Sequence, residues 1–181
     1  MVRGATVQNK NADKLKLAAA ALLTLPGTPF IYYGEEIGLE NGMPKGKNVD
    51  QEKRTPMPWD TQVNHVLTTL DTRPWWPFSS DSNGETVESQ ISDQTSLLRT
   101  YRALIQLRNS DTTLNSGSIK ILQATNKKIV AFVREADHSL SFVLHNFSAE
   151  TVADITLSFP MPSSEKKLLT LKRFGDHLIF L

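Results

Sequence analysis

The chain has 181 residues, of which 39% are hydrophobic and 22% charged, a composition that fits one large globular domain or two small ones. Twenty basic against nineteen acidic residues leave a formal net charge of +1, and no run of like charges marks a surface for nucleic acid or membrane. With no cysteine, disulfides, thiolate catalysis and cysteine zinc sites are excluded, and no stretch approaches the roughly 18 apolar residues that would span a bilayer.

Asn11 suits a helix N-cap and Asp13 the first turn, after which Leu15, Ala18, Ala19 and Leu22 share one face. Pro26-Gly27 ends that helix near Leu25. Thr28 to Tyr33 is continuously apolar or aromatic without alternation, which predicts a strand buried on both faces. Helix, short turn and buried strand make the step of a parallel α/β sheet. From Gly34 to about Ser92 the periodicity disappears, in a glycine- and proline-rich stretch that holds all three tryptophans. Its aromatics argue against disorder, and its length marks an ordered functional loop. A second helix starts at Asp93 or Thr95 and aligns Leu97, Leu98, Tyr101, Leu104 and Ile105. It ends near Arg108 and Asn109, where the cation suits the carbonyl end.

After about Thr113 six strand-like runs follow at a spacing of about ten residues, the pattern of an antiparallel sandwich. Leu140, Phe142 and Leu144 alternate with Ser139, Ser141 and His145, which predicts one wet sheet face. The boundary falls near residue 112. A single helix–strand–helix step cannot build a parallel sheet, so the residues before that boundary read as part of something larger.

Two motifs then carry a resemblance. "LLTLPGTPFIYYGEEIGL" followed by "KRTPMPWD" resembles the α-amylase superfamily of retaining glycoside hydrolases, on its α-glucosidase and oligo-1,6-glucosidase side. The resemblance implies a (β/α)8 barrel with a C-terminal antiparallel β-domain. Gly27, Pro29, Tyr32, Gly34 and Glu36 match the eighth barrel strand and its exit, and Arg54, Thr55, Pro56, Met57, Trp59 and Asp60 match a run on the loop that follows. "PWWPFSSDSNGETVESQ" and "SLLRTYRALIQLRNS" resemble the lead into the eighth helix and the helix itself. In the family three carboxylates do the chemistry, at the ends of the fourth, fifth and seventh strands, and all of them precede the eighth strand. Arg3 has the look of the arginine that follows the third of these carboxylates by three residues.

The expected architecture is therefore α/β plus all-β. Residues 1–112 are read as the last β/α unit of the barrel, comprising eighth strand, substrate-side loop and eighth helix, and residues 113–181 as a β-sandwich. The expected function is the C-terminal part of a retaining α-glucan-acting hydrolase, without its catalytic carboxylates and inactive alone. The alternative is a carbohydrate-binding or structural accessory module, against which residues 113–181 contain no Trp or Tyr for a sugar platform.

Glu35 and Glu36 are open to two readings, an acid–base pair or a scaffold at the strand exit. Neighbours on an extended strand face opposite ways, which favours the scaffold. Barrel sites are built on loops after strands, so Arg54 and Trp59 are candidates to meet a sugar, with donors for its hydroxyls and an aromatic face for its apolar side. Arg3 is the third candidate, as substrate contact or as partner of a carboxylate. Trp75 and Trp76 read as a stacking platform or as buried packing. His65, His138, His145 and His177 lack metal-ligand spacing, and "DSNGE" at 81–85 lacks a calcium-loop frame, so no metal and no cofactor is expected. The expected partner is an α-glucan or oligosaccharide, bound weakly or not at all by this chain alone, with self-association through the exposed barrel strand and no nucleic-acid or membrane partner.

Overall fold

In the computed structural model, residues 3–43, 50–61, 74–79, 86–152, 155–158, 171–174 and 177–180 are described. They sort into two units, one of Met1–Lys16 with Phe30–Arg102, the other of Leu17–Pro29 with Ala103–Leu181. Helix α2 (Ala12–Thr24) and helix α4 (Leu97–Ser110) each run from one unit into the other. His65 and the 81–85 turn lie outside the described residues.

In the first unit the short helix α1 (Gly4–Val7) precedes the first turn of α2. Asn11 caps α2 as expected, its Oδ1 accepting the Lys14 N–H at 2.9 Å. The buried face of α2 is rotated from the expected one, onto Ala19, Ala20, Leu23 and Thr24.

The expected buried strand at Thr28–Tyr33 is not a strand among the described residues. Phe30 is 86% exposed, and Ile31, Tyr32 and Tyr33 are also exposed. A strand exists only through a neighbour's N–H and C=O groups, and no described residue ladders with this segment. Beyond it the described residues form two 3-10 turns, Glu35–Ile37 and Gln51–Lys53, and helix α3 (Val87–Ser92). Sequence periodicity missed α3 because it is only six residues long. Its capping box joins Thr86 to Ser89 in both directions, at 3.0 and 3.1 Å. Helix α4 opens after Ser96, whose hydroxyl accepts the Arg99 N–H at 3.2 Å, so Ser96 takes the place expected of Asp93 or Thr95.

In the second unit helix α5 (Thr112–Ser116), unanticipated, leads into an antiparallel sheet. The long strands β1 (Ser118–Ala124), β2 (Ile129–Ala136) and β3 (Ser139–Asn146) form its centre. The shorter β4 (Leu157–Ser158), β5 (Leu171–Phe174) and β6 (His177–Phe180) complete the order β4-β1-β2-β3-β6-β5. Register pairs Ile121 with Phe132 and Phe132 with Val143.

One sheet face is an apolar cluster of Leu122, Ile129, Ala131, Val133 and Leu144, covered by Val152, Ile155 and Leu157. The other face was expected to be wet and is so only in part, at Ser139, Ile121 and Val130. Ser141 and His145 are 2% and 1% exposed, because α5 packs on β2 and β3 and the end of α2 reaches His145. This second face is thus covered over Ser141 and His145, while Ile121 and Val130 on the same face stay 71% and 43% exposed, and no second sheet packs on it among the described residues.

This second face is held by polar groups that find partners, as burial requires. Asp111 caps α5 through Thr113 and Leu114 N–H groups and also accepts the Ser141 hydroxyl at 2.9 Å. Arg134 is 1% exposed, and its guanidinium donates to the carbonyls of Thr24, Gly117 and Ser118 at 2.6, 2.7 and 3.3 Å. Arg108 donates to Leu23, Leu25 and Gly27 carbonyls at 2.8, 2.8 and 2.6 Å. Two arginines thereby satisfy carbonyls that the C-terminal end of α2 leaves open. Sequence reading gave Arg108 to the end of its own helix; the fold uses it on α2. Burial lowers the pKa of both arginines, and for Arg134 the Arg108 charge lowers it further while Asp111 opposes.

Candidate functional site

The motif residues of the first unit gather around Arg3. Its side chain is 3% exposed, and its guanidinium lies 4.8 Å from the ring centroids of both Tyr32 and Tyr33. Nη1 donates to the Tyr33 carbonyl at 2.6 Å, and Nε and Nη2 donate to the Lys53 carbonyl at 3.1 and 2.7 Å. The Arg3 backbone N–H donates to Asn41 Oδ1 at 3.1 Å.

Gly34 is required at its position. It is left-handed at φ 85°, and a Cβ there would meet Leu39 at 2.6 Å and Arg3 Nη1 at 3.1 Å. Directly after it, Glu35 and Glu36 open the 3-10 turn Glu35–Ile37. Burial pushes the Glu35 carboxyl above the ordinary glutamate value, against the Tyr32 backbone hydrogen bond and Arg3, which pull it down; Glu36 adds to the rise. Buried Tyr101 faces the same pair. Its phenol is pushed up to about 12, first by burial and then by the charges of Glu35 and Glu36. Burial raises Tyr33 as well, with Arg3 opposing.

The second motif is held by its backbone. The Tyr33 hydroxyl donates to the Thr55 carbonyl at 2.9 Å. The N–H groups of Val87 and Glu88, in the first turn of α3, donate to the carbonyls of Pro58 and Trp59 at 3.0 and 2.9 Å. Thr55 is fully buried, whereas Trp59 is 49% exposed. The exposed Arg54 side chain pairs with Asp50 at 2.5 Å.

The candidates therefore separate by environment. Arg3, Tyr32, Tyr33 and Gly34 form one contact group, while Arg54 and Trp59 reach solvent from the loop that follows. Gly27 and Pro29 belong to the second unit, where Gly27 is left-handed at φ 95° and gives its carbonyl to Arg108. The tryptophan pair splits: Trp76 is buried and Trp75 is exposed. Asn41 escaped sequence reading, and Thr55 was read only as a motif letter, because they act through a short polar contact and a backbone carbonyl, which carry no residue-type signal. Among the described residues no group of three or more His, Asp or Glu side chains gathers to hold a metal ion, and no helix is long and apolar enough to cross a membrane.

Comparison with known proteins gives this geometry a family. Residues 1–117 match the family model "Alpha amylase, catalytic domain". The chain is 30% identical to "Alpha-amylase 3" of Dictyoglomus thermophilum over 94% of its own length and 32% of that protein's. It is 28% identical to the oligo-1,6-glucosidase of Bacillus cereus, over 76% of this chain and 30% of the relative. Among solved structures, a mutant of the trehalulose synthase MutB of Pseudomonas mesoacidophila MX-45, in complex with its substrate sucrose, aligns with a TM-score of 0.64. That alignment is 27% identical and covers 75% of this chain and 30% of MutB. The chain thus spans about a third of the length of the relatives it matches. On the match over residues 1–117, the chain belongs to the α-amylase catalytic-domain family.

Proposed function

We propose that this chain is the closing part of a retaining, α-glucan-acting glycoside hydrolase, and that on its own it is inactive. The observation that carries the reading is a catalytic-domain match over residues 1–117 in a chain about a third as long as its relatives. In this reading residues 1–112 supply the eighth strand, substrate-side loop and eighth helix of a (β/α)8 barrel, and residues 113–181 supply its C-terminal antiparallel β-domain.

Retention of configuration needs a nucleophilic carboxylate and an acid about 5–5.5 Å apart on either side of the scissile bond. Glu35 and Glu36 are a poor fit to that division of labour. They are successive residues of one 3-10 turn, and Glu35 leans on the Tyr32 backbone and on Arg3. Their part is to support the exit of the Gly27, Pro29, Tyr32, Gly34 and Glu36 motif. Trp59 offers an apolar face to a pyranose and Arg54 offers N–H donors to its hydroxyls. Sucrose, the substrate held by the related MutB, is an α-glucoside with the hydroxyls and apolar pyranose face that such groups would meet. Purified as the 181-residue chain, the protein is expected to release no nitrophenol from a nitrophenyl α-glucoside above background. Turnover above background overturns the reading.

A further inference from the structure

We propose that Arg3 and Tyr33 form a two-point clamp on the carbonyls of Lys53 and Thr55, the residues on either side of Arg54, which makes Arg3 a positioning residue for the sugar-facing loop and not a sugar contact itself. The inference rests on the reading of that loop as the substrate side. The carbonyl before Arg54, that of Lys53, accepts two N–H groups from Arg3. The carbonyl of the residue after it, Thr55, accepts the Tyr33 hydroxyl. Arg3 also takes the carbonyl of Tyr33 itself, so Arg3, Tyr33, Lys53 and Thr55 close a ring of contacts in which Arg54 sits between the last two.

Each nitrogen of the Arg3 guanidinium is committed to a backbone carbonyl, and the side chain is 3% exposed. Buried beside the rings of Tyr32 and Tyr33, it presents almost no surface to a ligand. A second tie reaches the same turn through Asn41, which accepts from Arg3 and donates to Glu52 at 3.2 Å, while Gly42 N–H takes the Glu52 carbonyl at 2.7 Å. Arg54 is the reverse case. Its backbone is held on both sides, but its side chain is engaged only in a water-exposed pair with Asp50 among the contacts described. An exposed pair of this kind contributes little and exchanges readily, so the Arg54 donors can turn to a ligand hydroxyl from a fixed base.

The planar fork matters more than the charge. A lysine keeps a cation over the two tyrosine rings but cannot hold the Lys53 and Tyr33 carbonyls together. Amide hydrogen exchange on the full chain tests this with Arg3→Lys and Tyr33→Phe. Exchange over residues 50–55 is expected to quicken about tenfold in each, the scale of one net hydrogen bond, with β1, β2 and β3 unchanged. Wild-type protection over 50–55 in both variants overturns the clamp, as does equal acceleration in the sheet. Should Arg3→Lys fail to fold, Tyr33→Phe decides, because it removes one oxygen from an exposed ring. Retardation on a glucan affinity gel separates the two ideas. A clamp variant that loses wild-type retardation as fully as Arg54→Ala, with its sheet intact, supports positioning; an unretarded wild type counts against the proposed sugar role and leaves the exchange result to judge the clamp.

Discussion

Residues 30–33 (Phe-Ile-Tyr-Tyr) and residues 129–133 of β2 (Ile-Val-Ala-Phe-Val) have similar composition and opposite fates. Both are runs of β-branched and aromatic residues, which propensity alone would make strands. In β2 each residue is paired, with β1 on one side or β3 on the other, and Phe132 is 1% exposed. In the earlier run no described strand stands beside the chain, and Phe30 is 86% exposed. The difference lies in the neighbours. A strand-like sequence states that a segment is fit for a ladder, and the ladder has to come from elsewhere.

The largest effect that would break this comparison is a matched pair of truncations. Phe132→Ala removes a ring packed between β1 and β3, and is expected to destabilise the second unit by about 3–5 kcal/mol. Phe30→Ala removes a ring that faces water, and is expected to change stability by no more than about 0.5 kcal/mol. Urea unfolding followed by far-UV circular dichroism measures both. Similar losses at the two positions would mean that residues 30–33 are in fact packed.

How much was legible follows the same division. Asn11 and the 3.6-residue repeat announce α2, and the alternation and turn residues after 117 announce β1, β2 and β3, because those signals are local. The covering of Ser141 and His145 could not be read, since it depends on α5 and on Thr24, more than a hundred residues upstream of His145. The motif letters identified the family and pointed to Arg3, Arg54 and Trp59. They did not reveal that Arg3 spends its guanidinium on carbonyls, because a carbonyl belongs to every residue type alike.

A smaller effect concerns what residues 30–33 do in solution. An exposed apolar segment with open backbone groups is a template for pairing with another chain, and we expect the protein to self-associate through it. Sedimentation velocity should show a concentration-dependent shift at tens of micromolar (roughly the range of weak edge pairing,) that Phe30→Lys abolishes, since a charge at an open edge opposes pairing. A wild type that stays monomeric throughout would overturn the association, and a variant that associates as strongly would place the contact elsewhere.

The smallest effect sharpens the comparison from the other end of the same segment, at Glu35. Its folded-state pKa is raised above the ordinary 4.5, chiefly by burial. The folded protein therefore holds this proton more tightly than the unfolded chain, and stability falls as pH rises from the ordinary value through the raised one. Below that window Glu35 is neutral in both states and carries no penalty; above it the penalty is constant. Glu35→Gln has no proton to lose, so its stability relative to wild type should climb across the window and then level off. Urea midpoints of the two proteins from pH 4 to 7 (the lower limit set by the ordinary carboxylate range, roughly 4,) measure the climb, which should be well below the Phe132→Ala loss. A relative stability that falls with rising pH would mean that Arg3 and the Tyr32 backbone outweigh burial, and that Glu35 is held at the exit as a charged strut.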